Sequence, residues 1–439
     1  MAKQIVFALA LLITLLIFSY TVRRLYRFFK LTQPDFPVRN IGKRIMLTLG
    51  VAIGQTKIFR RPITGLMHAL VFWGFCVIAL GTIEIIIDGL GNYERSLSFL
   101  GIIYSIITAS GDVFALVVGV FIIVFLFRRI FMNIKRFQGI EMKHVSHLDA
   151  NIALALILFL MLSLLGMNAA YVELKKIQSA EILGFYPIGN LISGILSGIS
   201  TTSLELLYNF CWWSHILLIF AFANILPYSK HFHVFMSVPN VFLSRLDPMG
   251  KLPNMDSITR EVKMMLNPDT ALANPISETT IPRFGVKDAE DITWKNYLDS
   301  LSCTECGRCT DVCPANLTGK KLSPRKIIMN IRARMKEKGP GLVKFGKDYT
   351  DNKSLLRDFI SEEELWACTT CNACAQECPV NINHPTFIVD MRRYLVLEEA
   401  SAPGMLKTMF NNIENNGAPW QYAAEDRLLW TRDLEMKVN

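Results

Sequence analysis

The sequence predicts an all-α protein in two parts: a five-helix transmembrane bundle, then a smaller helical domain rich in cysteine. Three observations predict it. Hydrophobic residues make up 51% of the 439 residues, and the mean hydropathy of +0.33 is too high for an ordinary soluble chain. Five apolar stretches long enough to cross a bilayer all begin before residue 240, and Lys and Arg gather at their ends. Eight of the ten cysteines fall into two identically spaced runs in the last third of the chain.

The spans follow in order. Residues 4–20 (Gln4 to Tyr20) are apolar without interruption, and Val22-Arg23-Arg24 comes soon after. A cleaved signal carries its charge before the apolar run, so this stretch reads as an uncleaved helix with its N-terminus outside. Residues 21–63 are basic, with one apolar patch from Met46 to Ile53 that reads as an interfacial helix in an inner loop. The second span runs from Thr64 to Ile87, the third from Ile102 to Phe131, and the fourth from Leu148 to Tyr171. An outer loop follows, broken by Gly184, Pro187, Gly189 and Gly194. The fifth span is expected to start near Leu206 and continue past Pro227 to Phe235. The net charge of +9 concentrates beside the spans, at Arg23, Arg24, Arg27, Lys30, Arg60, Arg61, Arg128, Arg129, Lys135 and Arg136. That asymmetry puts the C-terminus inside. No basic helix interleaved with aromatic residues offers itself to base edges, which argues against nucleic acid as a partner.

The first cysteine run is Cys303-x-x-Cys306-x-x-Cys309-x-x-x-Cys313-Pro314, and the second is Cys368-x-x-Cys371-x-x-Cys374-x-x-x-Cys378-Pro379. This is the spacing of bacterial ferredoxins that hold two [4Fe–4S] clusters, in which the fourth Cys of each run ligates the other cluster. One cluster is therefore assigned Cys303, Cys306, Cys309 and Cys378, and the other Cys368, Cys371, Cys374 and Cys313. Zinc sites are built from CxxC pairs rather than triple runs closed by Pro. Cluster-bound thiolates call for a reducing compartment, so the domain is expected on the cytoplasmic side. The remaining Cys76 and Cys211 sit among apolar residues and read as inert thiols buried in the membrane.

These features divide the chain into a membrane domain (1–236), a linker rich in Pro, Asn, Asp and Ser (237–290), the dicluster domain (291–400) and a tail (401–439). Within the dicluster domain, Trp294 to Leu301 feeds the first run. Ser323 caps a helix with Pro324 at its first position; it is expected to end at Gly339-Pro340. Shorter helices are expected over Glu362 to Ala367 and Thr386 to Glu399. Metal ligation rather than a large apolar core is expected to supply most of this domain's stability.

Histidines inside apolar spans are functional candidates because burying them in lipid is costly. His68 lies near the inner end of the second span. His215 and His233 fall on one face of a continuous fifth helix, about 27 Å apart. Neutral imidazoles at two depths suit the axial positions of haem b, with His68 and His233 at one depth able to clamp a single iron. His144, His147 and His231 flank basic loops and read as interfacial side chains.

His215, Pro227, Ser229, His233 and Ser237-Val238-Pro239 together resemble the last helix of the nitrate reductase gamma subunit, a five-span haem b protein that oxidises quinol. The resemblance covers residues 1–245 and implies haem b held by His68 and His233. In that family the second helix carries a further His ten residues on, where this chain has Ile78. A second haem on His215 therefore lacks its partner, leaving either a ligand such as Met167 or another use for His215. The soluble half, through Trp294 to Pro314, Ser323-Pro324-Arg325, Trp366 to Pro379 and the Glu414 to Trp420 tail, resembles the ferredoxin-like subunit of heterodisulfide reductases and its relatives in glycolate oxidation. Those relatives usually add Cys-Cys-Gly motifs. This chain has no adjacent Cys pair, so a separate Cys-Cys-Gly subunit is implied as partner. Similar arrangements occur in membrane complexes that pass electrons from electron-transfer flavoprotein to menaquinone.

No Ser-His-Asp set, phosphate-binding loop, dinucleotide glycine motif or carboxylate pair stands out. The leading expectation is an electron-transfer subunit of a quinone-linked oxidoreductase in a bacterial or archaeal cytoplasmic membrane. Its centres would be two [4Fe–4S] clusters and haem b, one or two per chain, working with menaquinone or another quinone. A quinol-driven reductase of a heterodisulfide or sulfur compound and a non-catalytic membrane redox sensor are the alternatives.

Overall fold

The computed structural model describes residues 2–267, 283–432 and 434. Five helices are long and apolar enough to cross a membrane, and each begins or ends at a recognisable signal. Helix α1 (Ala2–Leu31) extends the first apolar run well past its basic end. A short α2 (Ile41–Thr48) and a wide turn over Leu49–Ile53 occupy the apolar patch before the second span. Helix α3 (Pro62–Gly91) opens with Pro at its first position and stops at left-handed Asn92. Then come α4 (Ile102–Ile130) and α5 (His144–Ile177). The glycine-rich loop contributes a short α6 (Pro187–Ser193), whose first free amides at Ile188 and Gly189 donate to Asp112 of α4. Helix α7 (Thr201–Ile225) is capped by Ser200, which accepts from the amide of Ser203.

The fifth span does not continue to Phe235 as one helix. Pro227 removes a backbone donor, and the chain breaks into two short turns, Leu226–Tyr228 and Lys230–Phe232, before α8 (His233–Phe242). The hydroxyl of Ser229 caps the second turn by accepting from the amide of His231. His215 and His233 thus belong to different helices. The His233 strap is held from the soluble side, by Ser302 donating to the Met236 carbonyl and Asn240 donating to that of Val380.

Helix α5 is the bundle's central column, packed on α4, α6 and α7, while α1 leans on α3 and α7. Residues 268–282 of the expected linker lie outside the described residues; before them, α9 (Asp256–Leu266) is a separate amphipathic helix. The dicluster domain comprises α10 (Trp294–Ser302), α11 (Arg308–Asp311), α12 (Pro314–Leu317), α13 (Pro324–Phe345), α14 (Glu362–Trp366), α15 (Ala373–Glu377) and α16 (His384–Leu397), with α17 (Gly404–Asn416) in the tail. Side chains of Thr293, Ser323, Ser361 and Asn383 accept from helix N-terminal amides, and of these caps the sequence pattern predicts that of Ser323.

Two expectations for this domain are overturned. Helix α13 does not end at Gly339-Pro340 but runs through to Phe345, because Gly339 offers no side chain and the ring of Phe28 from α1 packs directly on it. Nor is the apolar core small. Ile327, Ile331, Met335 and Leu342 of α13 join Phe387, Met391 and Leu395 of α16, and α1 drives Phe28 into the same cluster. Arg334, fully buried, ties this core to Asp288 at 2.6 Å and Asp351 at 2.7 Å.

Candidate functional site

The two cysteine loops lie side by side and are built alike. Cys313, Cys368, Cys371 and Cys374 ring one cavity of 20 Å³. Cys309 is buried, and its thiol is pushed well up, first by burial and then by Cys306, Cys303 and Cys378 beside it. The fourth Cys of each run thus lies against the other run, Cys313 in the lining shared with Cys368, Cys371 and Cys374 and Cys378 among the neighbours of Cys309. Burial also raises the Cys303 thiol to about 11 and that of Cys378 to about 12. As thiols these groups would stay protonated, so iron must displace their protons when it binds. Among the described residues, no three His, Cys, Asp or Glu side chains converge tightly enough to hold a single metal ion.

Inside the bundle, a cavity of 530 Å³ reaches from the cysteine loops to mid-span. Its domain end is lined by Cys306, Thr304, Arg308, Pro379 and Val380 of the soluble part, and by His68, His231, His233 and Lys230. Phe72, Phe75, Ile78, Val118, Ile122 and Phe222 continue the walls inward, and His215 faces the same space. The rings of His68 and His233 lie 6.5 Å apart. Two imidazoles bonded to one iron at about 2 Å place their ring centres about 6.4 Å apart, so the pair fits the axial positions of a single haem. Nδ1 of His233 lies 3.1 Å from the Lys230 carbonyl. That carbonyl can only accept, so Nδ1 carries the hydrogen and Nε2 is left as the ligating nitrogen. Nδ1 of His68 is buried without a partner.

His215 lies near the middle of α7 rather than near its outer end, buried and held at Nδ1 by the Leu160 carbonyl and Ser163 hydroxyl, each at 3.0 Å. Met167 does not line the cavity. It packs with Phe7, Trp212 and Ile216 in a separate cluster, because it sits on the face of α5 turned towards α1 and α7. Of the unassigned thiols, Cys211 is buried, whereas Cys76 is exposed on the outside of α3.

His231 was expected to be interfacial. It lines the cavity instead, its ring 5.9 Å from that of His233, because the turn after Pro227 folds it inward. His144 is exposed, and His147 is half-buried. Sequence reasoning also missed the clamps between the two halves. Arg308, in the first cysteine loop, donates to the carbonyls of Lys57 and Ile58. Arg325 donates to the carbonyls of Arg136 and Gln138 and pairs with Glu141 at 2.7 Å, almost fully buried. Glu305 receives Lys230 at 3.2 Å and is bonded to Arg332 and Ser146. Burial opposes its charge, but Arg332 and Lys230 outweigh burial and hold the carboxyl below its usual range. The unusual density of Arg and Lys around both inner loops was the available signal.

Residues 302–382 match the 4Fe-4S dicluster domain family, so a dicluster domain is present in this chain. Along most of its length the chain is similar to the probable iron-sulfur-binding oxidoreductase FadF of Bacillus subtilis, 29% identical over 98% of this chain and 61% of the relative. It is also similar to the EtfAB:quinone oxidoreductase of Syntrophomonas wolfei, 29% identical over 89% of this chain and 54% of the relative. The dicluster region resembles one subunit of the ferredoxin/F(420)H(2)-dependent CoB-CoM heterodisulfide reductase of Methanosarcina acetivorans, 34% identical over 24% of this chain and 52% of the relative. The chain thus spans less than two thirds of the long relatives it matches. No solved structure matches it.

Proposed function

We propose that this chain is the membrane-bound electron-transfer part of a quinone-linked oxidoreductase, joining a cytoplasmic redox partner to the quinone pool. The observation that carries this reading is the single cavity whose one end is walled by Cys306, Pro379 and Val380 and whose side is walled by His68 and His233. Cys303, Cys306, Cys309 and Cys378 would hold one [4Fe–4S] cluster, Cys368, Cys371, Cys374 and Cys313 the second, and His68 with His233 one haem b. These groups supply one-electron carriers when bound. The chain's own residues do the rest. The Lys230 carbonyl orients His233, the apolar walls exclude water, and the arginine clamps fix the distance between the cysteine loops and the histidines. Cys371 is exposed whereas Cys306 faces the cavity. Cys371 would therefore hold its cluster on the side open to the partner, and Cys306 would hold the other on the side of the membrane cavity.

On this reading the N-terminus lies outside and the dicluster domain in the cytoplasm of a bacterial or archaeal cell, an orientation that the positively charged loops support. The name of the Syntrophomonas relative favours electron-transfer flavoprotein as the donor and quinone as the acceptor. A separate Cys-Cys-Gly subunit fits the likeness to the heterodisulfide reductase of Methanosarcina instead, with electrons drawn from quinol. Quinone reduction by reduced flavoprotein in membranes separates the two, and the absence of any quinone turnover would leave only a redox sensor. Iron and haem analysis with low-temperature EPR tests the wire itself. About eight non-haem irons and one b haem per chain are expected, and His68→Ala should abolish the haem spectrum while leaving the iron. Four irons would remove one cluster; no haem in the parent chain would remove the histidine pair.

A further inference from the structure

We propose that the cavity beyond the His68–His233 pair binds the head of a quinol, with His215 as the residue that accepts its hydroxyl hydrogen, and that it is not a second haem site. This inference rests on the quinone-linked reading above and adds where the quinone sits and what holds it.

The chemistry of His215 is fixed by its neighbours. Its Nδ1 is 3.0 Å from the Leu160 carbonyl, which can only accept, so Nδ1 carries the hydrogen. The Ser163 hydroxyl, also at 3.0 Å, braces the ring on the same side. Nε2 is then a bare acceptor, and among the described residues no hydrogen bond reaches it. Such a nitrogen is completed either by a metal or by an O–H donor.

A metal needs a second ligand across the cavity, and the facing wall does not offer one. Helix α3 presents Phe75, Ile78, Ala79 and Thr82 to the cavity. Met161 also lines it, but from α5, the helix that already braces His215, and it packs with Val118 and Ile122 of α4. Nor can His215 share the iron of the inner pair. From His68 to Ile78 is about 15 Å along α3, and Ile78 packs on the cluster that contains Leu160, whose carbonyl braces His215. The outer part of the cavity is therefore apolar and aromatic, with one oriented acceptor. That is the surrounding a quinol head requires, a flat ring against Phe75 and Ile78 and one hydroxyl donating to Nε2.

The test uses the full chain purified in detergent. Haem is counted per chain by pyridine haemochrome, and quinone-site occupancy is read from the fluorescence quenching of 2-heptyl-4-hydroxyquinoline N-oxide. One haem per chain and saturable probe binding are expected. His215→Ala should keep the haem and its absorption band while weakening the probe at least about tenfold, the loss of one hydrogen bond in a buried site. Ile78→His supplies the missing partner and should raise the haem count from one to two while abolishing probe binding. Two haems in the parent chain, or loss of a haem in His215→Ala, would overturn the proposal by making His215 an axial ligand. Probe binding that is unchanged in His215→Ala with its haem intact would place the quinone elsewhere and also overturn it, while leaving the quinone-linked reading in force. A parent chain that does not bind the probe at all would remove that reading itself. Should His215→Ala fail to accumulate, Ile78→His decides alone. A single haem with undiminished probe binding in that variant counts against the proposal.

Discussion

Glu305 and Gly307 in the first cysteine loop have φ of 57° and 74°, and Thr370 and Asn372, their equivalents in the second, have 54° and 60°. Equal cysteine spacing has produced the same pair of left-handed turns, which aim three thiols at one small volume. The side chains between the ligands differ. In the first loop Glu305 is paired with Lys230 and Arg332, Arg308 reaches back to the carbonyls of Lys57 and Ile58, and a Cβ on Gly307 would lie 2.4 Å from the Arg136 carbonyl oxygen. The second loop has Thr370, Ala373 and Asn372 at those places, and its Cys371 is exposed. The cysteines set the ligand geometry, while the residues between them decide whether a centre faces the bundle or the solvent.

That contrast can be broken in graded steps. Replacing Glu305 by Ala removes the ion-pair partner of buried Lys230, at a cost of up to about 3–5 kcal/mol. The same change at Thr370 should cost less than about 1 kcal/mol. Thermal loss of the cluster absorbance in the two variants, followed side by side, measures the difference. Gly307→Ala combines a left-handed φ with a backbone clash and should cost more than about 2 kcal/mol, whereas Asn372→Ala meets only the conformational penalty of about 1 kcal/mol. Equal melting of these two variants would show that the first loop is not clamped. Arg60→Ala breaks a half-exposed pair with Glu377 on the helix after the second loop and should shift stability by no more than about 1 kcal/mol.

Features encoded over short distances were legible in the sequence. Cysteine spacing, apolar runs and the cap at Ser323 depend on residues a few positions apart. What was not legible depends on contacts between distant segments. Gly339-Pro340 reads as a helix stop until Phe28 is known to pack on Gly339. His231 reads as interfacial until the turn after Pro227 is seen to fold it inward, and the same turn separates His215 from His233. The reach of Arg308 to Lys57 and of Arg325 to Arg136 joins residues whose pairing no local pattern encodes. His68 and His233 were paired by their shared depth, and the structure brings their rings together.

The contact of Phe28 with Gly339 also bears on the order in which the molecule can be completed. Helix α1 is made well before α13 and α16, yet its end is buried in a core to which those two helices contribute most. Leu25, Phe28 and Phe29 must therefore wait, in contact with lipid or with the translation and insertion machinery, until the dicluster domain has been synthesised and has folded. Loops that long make closure slow. A dicluster domain that has not folded would leave the end of α1 without its final packing, so the last stage of the bundle's assembly depends on the soluble domain.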